Sequence, residues 1–156
     1  MLVGGSAAYQ YATVQRPLGL LLGRHAEVAG YSLSRPRGAP PTVEVQLRDV
    51  ADLRGTYEEL SSGLQQVLGR HNLVITDKRT PDLTAFYSQA QFALQEAAQN
   101  GNFVSMQAQL SGLAAQQGIQ LRVGISSEHL FVQASSEQGA LYEVVSRLGN
   151  GGTSRQ

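Results

Sequence analysis

The chain has 156 residues, no cysteine, and 12 acidic against 12 basic residues, so its formal net charge is zero. The absence of cysteine excludes disulfide frameworks, cysteine nucleophiles and thiolate metal sites, and the zero net charge gives no electrostatic basis for binding nucleic acid. The length suits one domain, and the 42% hydrophobic content suits a folded one.

Residues 1–24 form an apolar N-terminal segment that is interrupted at Arg16 and Pro17. The segment lacks the basic start of a signal peptide, and each apolar run is shorter than the roughly 20 residues of a membrane span. We consider two hypotheses. The segment is a helix docked on the domain or on a second chain, or residues 1–12 are the end of a membrane anchor that begins before Met1, so that the membrane would be reached through the chain upstream of residue 13. Localisation is accordingly either cytoplasmic or membrane-tethered.

Nine elements are predicted after this segment, in the order β-β-α-β-α-α-β-β-α. Alternating apolar and polar residues in Thr42–Leu47 and Ile119–Ile125 predict strands with one buried and one solvated face. Asp49 as N-cap, with Asp52 three residues later, predicts the start of the first long helix. The apolar residues of Ala140–Leu148 predict a closing helix.

Strands that occur in pairs favour an α+β fold with a mostly antiparallel sheet and helices packed on one face. We predict a single α+β domain over residues 25–149, preceded by the apolar N-terminal segment. Residues 150–156 are predicted to be a disordered tail, because they are rich in glycine and polar residues.

The chemically richest stretch is the loop between the short strand Asn72–Thr76 and the helix that begins at Pro81. Its candidate ligand-binding residues are Asp77, Lys78, Arg79, Thr80 and Asp82. Two cations beside the free N–H groups of a helix N-terminus could hold an anion, although the loop lacks the glycines of phosphate-binding motifs. The alternative interpretation is that the two aspartates pair with the two cations while Thr80 caps the helix.

No other stretch predicts catalysis, a cofactor or a metal. The three histidines, His25, His71 and His129, have no neighbouring ligands at metal-binding spacing. His129 lies near Ser126 and Glu128, but no nucleophile elbow of the G-x-S-x-G type is present. We therefore predict no catalytic residue, no metal and no cofactor, and an enzymatic activity is the less favoured interpretation.

Glutamines cover the predicted outer faces of the second and third long helices, at Gln89, Gln91, Gln95, Gln99, Gln107, Gln109, Gln116 and Gln117. An uncharged polar face tolerates a partner surface, including a copy of itself.

The layout, a short apolar segment before a small α+β domain without catalytic motifs, resembles bacterial membrane-tethered and envelope-assembly modules. We interpret the chain as a non-enzymatic protein-interaction or scaffold module that binds a protein partner or itself and is either cytoplasmic or tethered to a membrane. The alternative is a domain that binds an anionic small molecule, or acts on one, through the 77–82 loop.

Overall fold

The computed structural model describes residues 11–147. This part of the chain divides into two compact units, one comprising residues 11–50 and 55–76 and the other residues 51–54 and 77–147. The described residues contain four α-helices and six strands, which confirms the predicted α+β class and the mostly antiparallel pairing. The strands form two sheets rather than one. The predicted tail lies outside the described residues, and the single domain over residues 25–149 stays a prediction.

The first unit contains a three-stranded sheet with a parallel and an antiparallel pair. β1 (Val28–Ser34) pairs antiparallel with β2 (Thr42–Leu47), and β3 (Asn72–Thr76) pairs parallel with β2. Parallel neighbours need a crossover, which α2 (Leu53–Leu68) provides. In the central strand β2 the apolar residues are buried and Glu44 is exposed, so the alternation read from the sequence is confirmed.

The apolar N-terminal segment contributes a π-helical turn, Tyr11–Gln15, and the helix α1, Arg16–Gly23. α1 buries Leu18 and Leu22. No helix in residues 11–147 is both long and apolar enough to cross a membrane. Most of the anchor hypothesis concerns residues outside the described range, and it stays a prediction.

The second unit places two helices on one face of an antiparallel sheet. α3 (Pro81–Asn100) and α4 (Phe103–Gln116) form a hairpin over β4 (Gln120–Ile125), β5 (His129–Ser136) and β6 (Gly139–Ser146), with β5 in the centre. α3 packs on β5 and β6, and α4 packs on β4. The core between the two layers consists of Leu83, Phe86, Ala90, Leu94, Ala97, Met106, Leu110, Ala114, Ile119, Leu130, Val132, Ala134, Leu141 and Val145.

The closing helix predicted over Ala140–Leu148 is wrong, because β6 occupies Gly139–Ser146 and pairs with β5 along its whole length. The sequence misleads here because this strand is buried on both faces: Leu141 faces the helices while Tyr142, on the opposite face, is also buried. A strand without a solvated face shows a continuous apolar run, which periodicity cannot distinguish from a buried helix.

The predicted start of α2 is also wrong. The helix begins at Leu53, and Asp49, the predicted N-cap, has a φ of 50° and lies outside the helix. The N–H of Leu53 donates to Oε1 of Gln133 on β5 at 2.8 Å. A side chain remote in sequence therefore satisfies one of the free N–H groups of this helix end, and no local pattern announces it.

Two phenylalanines on α3 give a matched test of the packing. Phe86 is 0% exposed and Phe92 is 74% exposed. We expect Phe86→Ala to lower the free energy of unfolding by about 3–5 kcal/mol, because it leaves a cavity in the core. Phe92→Ala is the control and should change it by less than about 0.5 kcal/mol. Urea unfolding measures both, and equal losses would contradict the assignment of these two helix faces.

Candidate functional site

Thr80 and Pro81 fix the start of α3. Thr80 has extended φ and ψ of −83° and 165°, and its Oγ1 accepts a hydrogen bond from the N–H of Leu83 at 3.3 Å. Pro81 occupies the first helical position, where a missing N–H has no cost. The N-cap and the helix start predicted from the sequence are confirmed.

Asp77 is the most buried charged group of the loop, with 3% of its side chain exposed. Its two carboxylate oxygens accept from Arg79, Oδ1 from Nε at 2.8 Å and Oδ2 from Nη2 at 2.7 Å. Oδ2 also accepts the backbone N–H of Tyr142 at 2.8 Å. The Asp77 side chain thus accepts hydrogen bonds from two guanidinium donors and from one backbone donor of β6, which compensates for its burial.

Arg79 bridges the loop to β6. Besides Asp77, its Nη2 donates to Oε1 of Glu143 at 2.8 Å, and its guanidinium lies 5.9 Å from the centre of the Tyr87 ring. The hydrogen bond to Asp77 is the largest of the effects that raise the pKa of Arg79 above its ordinary value, and Glu143 adds to it although burial opposes both. Burial, with the charge of Glu143, raises the pKa of Tyr87 to about 12.

The segment 77–78 covers part of the outer edge of β6. The C=O of Lys78 accepts the N–H of Ala140 at 3.1 Å, and the carboxylate of Asp77 accepts the next N–H that points the same way, that of Tyr142. A Cβ at Gly139 would lie 2.7 Å from the Lys78 oxygen, so a glycine is needed for this approach. The contact occupies backbone donors that an edge strand otherwise leaves open to another chain.

The five residues predicted as a ligand site therefore separate into different roles. Asp77 and Arg79 form an ion pair with each other and with Glu143, and Thr80 is a helix cap. Lys78 and Asp82 are exposed, and neither has an ion pair within residues 11–147. Glu143 was not predicted as part of this site. The one feature of the sequence that could have indicated its role is that Glu143 is the only charged residue in the apolar run of β6.

The charges of this cluster work against an anionic ligand. Three carboxylates (Asp77, Asp82 and Glu143) and two cations (Lys78 and Arg79) give the loop and its β6 neighbour a local charge of −1. Arg79 is already bound to two of the carboxylates, so Lys78 alone presents an uncommitted cation from the predicted set. Anion binding at this loop stays a hypothesis that depends on Lys78.

The side chain of Ser126 stabilises the β4–β5 turn. Ser126 Oγ accepts from the N–H groups of Glu128 at 3.3 Å and His129 at 3.0 Å. Arg147 donates to the C=O of Ser126, and its guanidinium lies 4.7 Å from the centre of the Phe103 ring. The Ser126 hydroxyl therefore caps this turn.

The other histidines also make local contacts. His71 Nδ1 lies 2.8 Å from the Gly69 oxygen, and His25 Nδ1 lies 3.8 Å from a carboxylate oxygen of Glu59. Within the described residues no group of three histidines, cysteines or carboxylates is arranged to bind a metal ion.

The outer face of the α3–α4 hairpin is the second candidate surface, which we call the amide surface. Its exposed glutamines are Gln89, Gln95, Gln99, Gln107, Gln109, Gln116 and Gln117, whereas Gln91, also predicted to lie there, is half-buried. Gln117 Nε2 donates to Gln89 Oε1 at 3.4 Å, so the glutamines of the two helices meet. Phe92 and Val104, 74% and 87% exposed, lie on the outer sides of the same two helices.

Comparisons of this chain with protein-family models, with curated proteins and with solved structures find no match.

Asp77 should be the most sensitive residue of the loop. We expect Asp77→Ala to lower the free energy of unfolding by about 2–4 kcal/mol, because it leaves a buried N–H and two guanidinium donors without their acceptor. Asp82→Ala removes an exposed carboxylate from the same loop and should cost at most about 1 kcal/mol. Unfolding in guanidinium chloride measures the stability of both variants. Equal losses of unfolding free energy would show that the buried ion pair does not hold the loop.

The anion hypothesis has its own test. If the loop binds an anion through Lys78, inorganic phosphate should raise the Tm of the parent protein more than that of Lys78→Ala, because stabilisation follows occupancy. Arg70→Ala, which removes an exposed cation outside the loop, controls for nonspecific screening. Equal shifts in the parent and Lys78→Ala would reject the loop as an anion site.

Proposed function

We propose that this chain is a non-enzymatic protein-interaction module that self-associates through the amide surface of the α3–α4 hairpin. The observation that carries the proposal is the near absence of charge from a broad exposed helical layer. α4 has no charged residue in 14 positions, and α3 has only Asp82 and Glu96 in 20. Exposed helix faces normally carry charged as well as uncharged polar side chains, so a layer with two charges in 34 helical positions differs from an ordinary solvated surface.

A second copy of the chain suits this surface chemically. The glutamine side-chain amide both donates and accepts hydrogen bonds, so a surface of glutamines is complementary to itself. The formal net charge of zero means that two copies do not repel each other at long range. Phe92, which projects from α3 with 74% of its surface exposed, gives the contact an apolar anchor.

The contacts of the charged groups support a binding role over a catalytic one. Asp77, Arg79 and Glu143 are occupied with one another, and Ser126 caps a turn. Tethering to a membrane through a segment before residue 13 remains a part of the proposal. It would place many copies on one surface and so raise their effective concentration.

Phe92→Arg tests the proposed surface. Because it replaces the apolar anchor by a charge that the contact would have to desolvate, we expect self-association to weaken by at least about tenfold. Sedimentation velocity over a wide range of protein concentrations measures the change. Gln66→Arg adds the same charge at an exposed position of α2 and should leave association unchanged.

A parent protein that stays monomeric at every concentration would overturn the proposed function. Equal association of the parent and Phe92→Arg would reject the amide surface as the site of contact.

A further inference from the structure

One end of the first unit's sheet carries three exposed arginines. Ser34, the last residue of β1, pairs with Thr42, the first of β2, and Thr42 pairs with Asn72, the first of β3. The β1–β2 loop and the chain that enters β3 therefore lie at the same end of the sheet. These two segments carry the exposed arginines Arg35, Arg37 and Arg70.

The N-terminal part of the described chain reaches the same end. Val14 and Gln15, in the π-helical turn, line a small cleft together with Leu33 and Arg35. α1 begins directly after this turn with Arg16, which is also exposed. We call the set of four exposed arginines the arginine end: Arg16, Arg35, Arg37 and Arg70.

No carboxylate of the neighbouring sequence balances the arginine end. The segments 14–18, 33–42 and 69–72 contain no acidic residue, and Glu44 is the only one in the three strands. Glu58 and Glu59 lie in the first half of α2, which begins near the opposite end of the sheet because it connects the end of β2 to the start of β3. Within residues 11–147 none of the four arginines forms an ion pair. Four arginines without a carboxylate give this end a local charge of +4 in a chain whose formal net charge is zero.

The β1–β2 loop is suited to hold its two arginines in place. Pro36 separates Arg35 from Arg37, and Pro40 and Pro41 precede β2. Because proline fixes the backbone φ angle, this loop loses little conformational entropy when its side chains bind a partner.

We propose that the arginine end binds the headgroups of anionic phospholipids at the surface of a membrane. The four cations are exposed and come from three segments of the chain, which suits an extended anionic surface rather than one small ion. Basic residues beside a membrane segment are attracted to anionic lipids, and each contributes roughly fivefold to binding. The membrane tether of the proposed function lies before residue 13 and so would join the first unit at this same end.

Nucleic acid is the polyanion that this end fits less well. Proteins bind single-stranded nucleic acid largely by stacking its bases on aromatic side chains, and the segments 14–18, 33–42 and 69–72 contain no phenylalanine, tyrosine or tryptophan. The phosphates of a duplex could pair with the arginines, but a duplex gives no reason for the apolar N-terminal segment to enter at the same end. A lipid surface accounts for both features.

This inference rests on the membrane part of the proposed function and is independent of self-association. The arginine end belongs to the first unit, and the amide surface belongs to the second. Removal of the arginines should therefore leave self-association in sedimentation velocity unchanged, so the two proposals can fail separately.

Charge removal at the two ends of the sheet tests the proposal. Arg35→Gln/Arg37→Gln should lower the partition of the full chain onto vesicles of phosphatidylcholine and phosphatidylglycerol by at least about tenfold. Arg24→Gln/Arg48→Gln removes the same charge from exposed positions at the opposite end, where Arg24 precedes β1 and Arg48 follows β2, and it should bind as the parent does. Arg35→Lys/Arg37→Lys keeps the charge and should retain binding. Vesicle co-sedimentation at low ionic strength measures the partition.

Vesicles of phosphatidylcholine alone separate the arginine end from the apolar N-terminal segment. The parent should bind them at least about tenfold more weakly than vesicles with phosphatidylglycerol, and added salt should weaken only the binding to the anionic vesicles. Equal binding of the parent to both vesicle types overturns the proposal, because the apolar segment then carries the binding. Equal binding of the two glutamine variants to anionic vesicles also overturns it.

Two further outcomes distinguish this inference from its alternatives. A parent that binds neither vesicle type overturns it, and binding of duplex DNA would then identify nucleic acid as the partner. A monomeric parent that binds anionic vesicles through the arginine end supports the inference and rejects only the proposed self-association.

Discussion

The second unit depends on the ion pair between Asp77 and Arg79. A carboxylate buried to this degree is tolerated only when its oxygens accept hydrogen bonds. Here the guanidinium of Arg79 and the N–H of Tyr142 donate those hydrogen bonds to Asp77. The same two residues hold the loop before α3 against β6. One buried pair therefore connects the start of the longest helix to an edge of the sheet beneath it.

This arrangement also explains how the two sheets differ at their edges. β6 has a neighbouring segment that occupies the N–H groups of Ala140 and Tyr142, and Gly139 leaves the space for it. β1, the outer strand of the first unit's sheet, pairs with β2 alone within residues 11–147, and the helix α1 contacts it. The outer strands of the two sheets therefore have different neighbours: a loop held by an ion pair lies along β6, and a helix contacts β1.

The sequence predicted what depends on local chemistry. Thr80 and Pro81 indicate a helix start independently of the rest of the chain. The alternation of apolar and polar residues in Thr42–Leu47 indicates a strand with one solvated face. It could not predict what depends on distant residues. Because β6 is buried on both faces, its sequence lacks the alternation of apolar and polar residues that marks a strand with one solvated face. Asp49 looks like a cap, but Gln133 supplies the contact to the N-terminus of α2.

The same limit applies to the candidate site. Sequence reasoning placed Asp77 and Arg79 in one loop and named their pairing as an alternative to ligand binding. It had no means of finding Glu143 and Tyr142, which are more than sixty residues away. Because these partners decide whether Arg79 is available to a ligand, the chemistry of the loop could be judged only after the fold was known.

The contact of Gln133 with the N-terminus of α2 has a consequence for the order in which the chain becomes structured. Leu53 and Gln133 are 80 residues apart, and α2 contains two glycines, Gly55 and Gly63, that weaken it by roughly 1 kcal/mol each relative to alanine. The N–H of Leu53 therefore gains this acceptor only after β5 has been synthesised. The crossover between β2 and β3 acquires this hydrogen bond only when most of the chain has been made.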